Sequence, residues 1–219
     1  MSWPPRGYVI TRVIAPATSL ALIAIDQVKA ALGIDPADTT QDVWLQQEID
    51  ATSAAINNYC DRIFVRQTYR DQIRAACQWL GWGQPLGTRQ WPIPVDGSGV
   101  PVLTVTEDTV VTDPSLWEVE NDTGAVYRLD DTGNIYAWAG MVTLFDYDAG
   151  YDTIPADVQS AAIEWMTGRW MQRGQDPSLR SESIPDVREV TYQRQDPATA
   201  SSMPNGVRDW LGPYRRSYV

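Results

Sequence analysis

The residues best suited to chemistry are Asp146, Asp148 and Asp152, gathered around Gly150 in "TLFDYDAGYDTIPADVQSAAIEWM", residues 143–166. Three carboxylates in seven residues can hold a hard cation, share a proton as an acid/base pair, or do neither. An EF-hand loop sets oxygen ligands at positions 1, 3 and 5, glycine at 6 and glutamate at 12. Counted from Asp146, Ala149 and Gly150 fill positions 4 and 5, Tyr151 stands in the glycine's place and Asp157 falls at 12, so the pattern fails at the turn. On an extended strand Met141, Thr143, Phe145 and Tyr147 face one way, and Val142, Leu144, Asp146 and Asp148 line the other, more exposed face. A two-carboxylate glycoside hydrolase is not selected either, because 28 acids guarantee close pairs by chance and nothing singles one out.

Other catalytic chemistry has no foothold. The chain has no histidine, which removes the commonest general base and transition-metal ligand. There is no G-x-S-x-G and no P-loop, and "GWG" at 81–83 lacks the third glycine and the βαβ setting of a dinucleotide loop. Cys60 and Cys77 are too few for a disulfide framework or a metal cluster, and read as reduced, at least partly buried thiols. No enzyme activity, metal or cofactor is expected.

The elements that position these residues follow from periodicity. Asp26 is expected to cap a short helix over "QVKAALG", with Val28 and Leu32 on one face and Gly33 as its stop. Thr39 or Thr40 should cap a long helix over about 41–61, where Leu45, Ile49, Thr52, Ile56 and Tyr59 form one stripe. From Ile63 to Tyr151 the period shortens toward two. "FVRQTYRDQI", "VLTVTED", "LWEVEND", "AVYRLD", "IYAWA" and "MVTLFDY" read as strands, separated by turn segments such as "DGSG" and "DDTGN". Thr153 and Pro155 then open a last helix to about Arg173, carrying Val158, Ala162, Trp165 and Arg169 on one face. The fold expected is α+β: a small helical bundle (short helix, long helix, C-terminal helix) with an inserted antiparallel β-subdomain. Its parts are an extended N-terminal arm (1–18), a helical part (19–62), the β-rich subdomain (63–151), the last helix (152–173) and an extended C-terminal arm (174–219). Tyr147, Gly150, Tyr151 and Pro155 make the corner between strand and helix.

Charge and composition narrow the partners. The net charge is −11, so nucleic acid should be repelled rather than bound. Residues 174–219 hold six acids and six bases, so the whole imbalance lies before them. With five prolines in 46 residues, this tail reads as a segment that orders on a partner, or as a disordered end. Leu20–Ile25, the longest apolar run, is too short to span a membrane, and no secretory signal is expected.

The motifs together resemble the head–tail connector (adaptor) family of long-tailed phages, which gene transfer agents also carry. The resemblance rests on Ile25, Val28, Lys29 and Leu32 in the short helix; on Ile49, Thr52, Ile56, Tyr59, Arg62 and Phe64 in and after the long one; and on Tyr147, Ala149, Gly150, Tyr151, Ile154 and Pro155 at the corner. It covers about residues 8–185. Thr52 departs from the usual alanine, and Asp61 stands where glycine commonly precedes the arginine.

The resemblance implies a structural virion protein of the neck, between head and tail, made and assembled in the host cytoplasm. About a dozen copies would form a ring below the portal protein, lengthen the DNA channel and carry stopper or tail-completion proteins. DNA would pass without specific binding, and no membrane is involved. Trp210, Leu211, Tyr214, Arg215 and Arg216 are the expected contacts with the portal or a neighbouring subunit. Arg62 can meet acids of a neighbour or serve its own helix end. Tyr8 and Ile10, in "YVITRVI", can add a strand to an adjacent subunit or pair within their own β-subdomain. The rival reading is a carbohydrate-binding or host-recognition module of a phage particle, which exposed coplanar tryptophans would favour.

Overall fold

The computed structural model of the chain describes residues 9–74, 84–121, 123–173, 203–215 and, as backbone, 181–184 and 188–191. It is a mixed α+β protein with antiparallel sheets, dividing into two compact units. One takes the chain up to Leu20 together with Asp61–Pro155; the other takes Ala21–Cys60 and Ala156–Arg215.

The first unit is built on β1 (Val9–Ala15), β2 (Gln67–Arg74), β4 (Leu103–Glu107), β5 (Val110–Val111) and β9 (Val142–Ala149). These form one five-stranded antiparallel sheet in the order β1-β2-β9-β4-β5. A smaller sheet joins β3 (Leu86–Gly87), β7 (Ala125–Leu129) and β6 (Trp117–Glu120), with β8 (Ile135–Tyr136) also on β7. Strand alternation decides what is buried. On β9, Thr143, Phe145, Tyr147 and Ala149 point inward, as the period of two requires. Phe145, Tyr147 and Ala149 join Tyr69, Ile73, Val105, Trp117, Val126 and Trp138 in the core, where the Trp138 and Phe145 rings meet edge to face at 5.7 Å. The described aromatic residues of this unit are thus largely spent on its interior. The N-terminal segment is an edge strand of its own sheet over Val9–Ala15, one of the two pairings open to it in the sequence. Tyr8 lies outside the described residues.

The second unit contains α1 (Ile25–Leu32), α2 (Asp42–Cys60), α3 (Ala156–Gln172) and α4 (Asn205–Leu211), with a hairpin of β10 (Ser181–Ile184) and β11 (Arg188–Thr191). Gly33 ends α1 in the left-handed conformation, with Ile34 N–H reaching back to Lys29 O at 2.9 Å. Asp26 does not cap α1. It lies in the first turn, and the Gln27 side chain accepts from Ala24 N–H instead, at 2.8 Å. In α2 the first helical bond runs from Leu45 N–H to Gln41 O, and the Thr40 hydroxyl is given to Asp38 at 2.7 Å. The α2 stripe is Leu45, Ile49, Thr52, Ile56 and Cys60, while Tyr59 is only half-buried. Thr52 donates to the Met166 sulfur at 3.6 Å, which satisfies the hydroxyl that departs from the usual alanine.

Residues 205–214 are not an extended arm. They form α4 and a 3-10 turn over Gly212–Tyr214, burying Val207 and Leu211 along with Met203. The spacing of Val207 and Leu211, four apart, gives even this short helix an apolar face.

Candidate assembly surfaces

The three aspartates have partners of their own. Arg70 and Asp146 stand opposite each other in the β2/β9 register and form a two-pronged pair at 2.5 and 2.7 Å. Arg66 bridges Asp148 at 2.8 Å and Asp152 at 2.9 Å, and the Thr68 hydroxyl also donates to Asp148. Its carboxylate bonds, that to Asp152 first, raise the Arg66 pKa. Arg70 on β2 and Arg66 just before it thus pair with all three aspartates. Among the described residues no acid, cysteine or histidine group is clustered to hold a metal.

The corner is set by backbone. Gly150 has φ +109°, and a Cβ there would lie 2.7 Å from Val65 O, so no side chain fits. Its N–H donates to Pro92 O at 3.0 Å, and Tyr151 N–H donates to Phe64 O at 2.7 Å. Pro155 directly precedes α3. Arg62 is held in the same place. It is 4% exposed, its Nη2 donates to Trp91 O at 2.5 Å, and its guanidinium lies 4.9–5.4 Å from the ring centres of Trp91, Phe64 and Tyr151. It therefore faces its own aromatic box, away from the surface position that contact with a neighbour's acids needs. Asp61 just before it has φ +52°, a left-handed conformation that suits glycine, and both its carboxylate oxygens are held by Arg89, at 2.7 and 3.1 Å.

Asp71 is the residue that strand alternation on β2 singles out. Alternation on β2 places it inward between Tyr69 and Ile73, and it is 0% exposed. Tyr147 O–H and Arg89 N–H both donate to its Oδ2 at 2.7 Å, and Thr11 of β1 stands opposite it. Burial pushes the Asp71 carboxyl pKa up, and burial together with that carboxylate pushes the Tyr147 hydroxyl well up. A raised carboxyl is what an acid catalyst needs, but this one has no exposed surface to offer a substrate; it ties β1, β2, β9 and the 88–90 loop together.

Two of the expected contact surfaces lie among the described residues. The first is the β1 edge, where Ile10, Val13 and Ile14 are 43–49% exposed. The second is the C-terminal segment. Leu211 is buried in the helical unit, the Tyr214 hydroxyl donates to the Asp157 carboxylate at 2.7–2.8 Å, and the Arg215 guanidinium sits 5.3 Å over the Tyr59 ring. Of the described C-terminal contact residues Trp210 alone presents a large apolar surface, at 47% exposed, and it is the most exposed tryptophan among the described residues. Arg216 lies outside them. Trp44 and Trp170 meet at 61°, with Arg173 over both rings, so they do not form a flat sugar platform.

No protein-family model matches the chain, and no curated protein matches it. Solved structures do. A chain in the neck of an empty gene transfer agent particle, computed with C6 symmetry, aligns over 96% of this chain and 97% of its own, with 16% identity and a TM-score of 0.56. A chain in the neck of the native particle, computed with C12 symmetry, aligns with the same coverage, 14% identity and a TM-score of 0.55. A third, from the virion of the native gene transfer agent particle, has 16% identity and a TM-score of 0.53 over the same spans. The chain shares its fold, nearly end to end, with chains of a gene transfer agent particle.

Proposed function

We propose that the protein is a structural component of a phage or gene-transfer-agent neck, a head–tail adaptor without enzymatic activity. About a dozen copies form a ring below the portal, lengthen the DNA channel and carry the stopper or tail-completion proteins. The observation that carries this reading is the likeness to gene-transfer-agent neck chains over 96% of the sequence. Charge supports it. At −11 the protein repels a passing duplex, and five of its arginines are occupied: Arg62, Arg66, Arg70, Arg89 and Arg128 hold their own unit's rings, carbonyls and acids. In this reading the β-rich unit is an insertion in a small helical bundle.

The portal-facing contact centres on Trp210, flanked by Arg215 and Arg216, while Leu211 and Tyr214 hold that segment on its own helices. Deleting 206–219 would strip Val207 and Leu211 from the helical core, so point variants are the sounder probe. Size-exclusion chromatography with light scattering, on the protein alone and with its portal, followed by negative-stain imaging, tests the function. A portal-bound ring is expected, and Trp210→Ala should weaken binding at least tenfold without lowering the melting temperature, as for an exposed aromatic anchor. A monomer indifferent to portal overturns the reading.

A further inference from the structure

The long sheet ends in an edge that nothing described covers. β1 is seven residues long, and among the described residues it pairs with β2 alone. Proteins blunt such edges with charge, proline, bulges or short length. β1 has a bulge between Val13 and Ala15 and a single charge, Arg12, while Ile10, Val13 and Ile14 stay exposed. Neither Arg12 nor Arg74, at the end of the adjoining strand, has an ion-pair partner among the described residues. The edge is apolar and cationic in a chain of net charge −11.

The same chain has a second unfinished element. β10 and β11 form a two-stranded sheet that pairs only with itself among the described residues. A lone two-stranded hairpin is marginal in water and gains its stability from a third strand. The segment 181–191 carries Glu182, Asp186 and Glu189 against Arg188, so its charge is opposite to that of the β1 edge. Each of its strands has four residues, which a seven-residue edge accommodates. The opposite edge of the long sheet, β5, has only two residues and offers little ladder.

We infer that the β10–β11 hairpin of one copy adds to the β1 edge of a second copy, extending its five-stranded sheet to seven. This rests on the ring reading above and names the surface that joins neighbours. The two surfaces are different parts of the chain, so the contact is head-to-tail, the kind that closes into a ring. Main-chain bonds supply most of the attraction, and the opposed charges orient the approach.

The test uses full-length protein with a benzophenone amino acid in place of Ile10, and separately of Val13. Unlabelled and 15N-labelled copies are mixed with portal, irradiated, and the linked peptides identified by mass spectrometry. Links between 9–15 and 181–191 that join light to heavy chains are expected. Links confined to one isotope, meaning the hairpin folds back on its own copy, overturn the inference, as do links to portal or elsewhere, or none. A second variant replaces 181–191 with a Gly/Ser linker of equal length. It should keep its thermal unfolding transition and lose the ring; an intact ring overturns the inference. Rings without the hairpin link sink this inference alone, whereas a wild-type protein that neither binds portal nor forms rings sinks the neck reading with it.

Discussion

The two units use hydrogen bonds in opposite ways. Helices α1 to α4 close their backbone bonds within themselves, so what they offer a partner is side chains such as the exposed Trp210. Among the described residues the five-stranded sheet leaves a row of backbone groups unspent along β1, so the β unit can be joined through main chain. Their interiors differ in the same sense. The helical core is a mainly apolar stripe that also buries Thr52, Ser53, Asn57 and one lysine, Lys29, whose Nζ meets Asp42 at 2.6 Å and Pro36 O at 3.2 Å. The β core carries a polar centre at Asp71, Tyr147 and Gln90 and a corner fixed by backbone geometry. One unit is specified by side-chain shape, the other by where the main chain must pass.

The sharpest way to break that contrast is Gly150→Ala. It forces a side chain into a left-handed conformation against Val65 O, and should cost about 3 kcal/mol or more in urea unfolding. A cost below 1 kcal/mol would mean the corner is pliable. In the helical unit the counterpart is Leu211→Ala, a fully buried side chain whose loss should cost about 2–4 kcal/mol. A near-neutral result there would show that α4 is not part of the core.

The third prediction concerns pH. The Asp71 carboxyl is raised by burial, so the native state holds its proton more tightly than the unfolded chain does. Its contribution is therefore fully present below the ordinary aspartate range and lost as pH rises through the folded value. The groups facing it are Tyr147 from β9, Tyr69 on its own strand, Arg89 from the 88–90 loop, and Thr11 from β1. Asp71→Asn keeps an acceptor for Tyr147 and Arg89 but cannot ionise. Its melting temperature, relative to wild type, should climb between pH 4 and pH 7, the interval that starts at the ordinary aspartate pKa. A relative fall would mean the donors outweigh burial.

The smallest effect is expected at the arginine–aspartate ladder. Arg70 and Asp146 are 45% and 32% exposed, so Asp146→Asn should cost under about 1 kcal/mol, and less in high salt. A larger loss would make the outer face of the sheet as structural as its inner one.

Much of this was legible in the sequence because it is local. The α2 stripe, the Gly33 stop and the β9 alternation each follow from spacing within one element. What escaped is long-range or brief. Val9–Ala15 pairs with residues some sixty positions away, and no feature of "VITRVIA" says with which strand. The seven-residue α4 sits among prolines that read as an extended tail, and its packing rather than its propensity makes it a helix. Asp71 was readable in principle, since β2 places a carboxylate on the face that carries Tyr69 and Ile73. The role of Arg62 was not, because its aromatic box is drawn from Phe64, Trp91 and Tyr151, far apart in the chain.

One consequence reaches beyond this molecule. Asp61 holds a left-handed backbone that a glycine would adopt freely, and the Arg89 side chain is what secures it there. Among relatives the two positions should drift together. A chain with glycine at 61 releases the arginine side chain from selection, because the N–H that serves Asp71 belongs to any residue but proline. A chain that keeps a side chain at 61 should keep a bidentate cation at 89. The order of change is then constrained: glycine first and loss of the arginine second is a passable route, and the reverse leaves a strained aspartate unsupported.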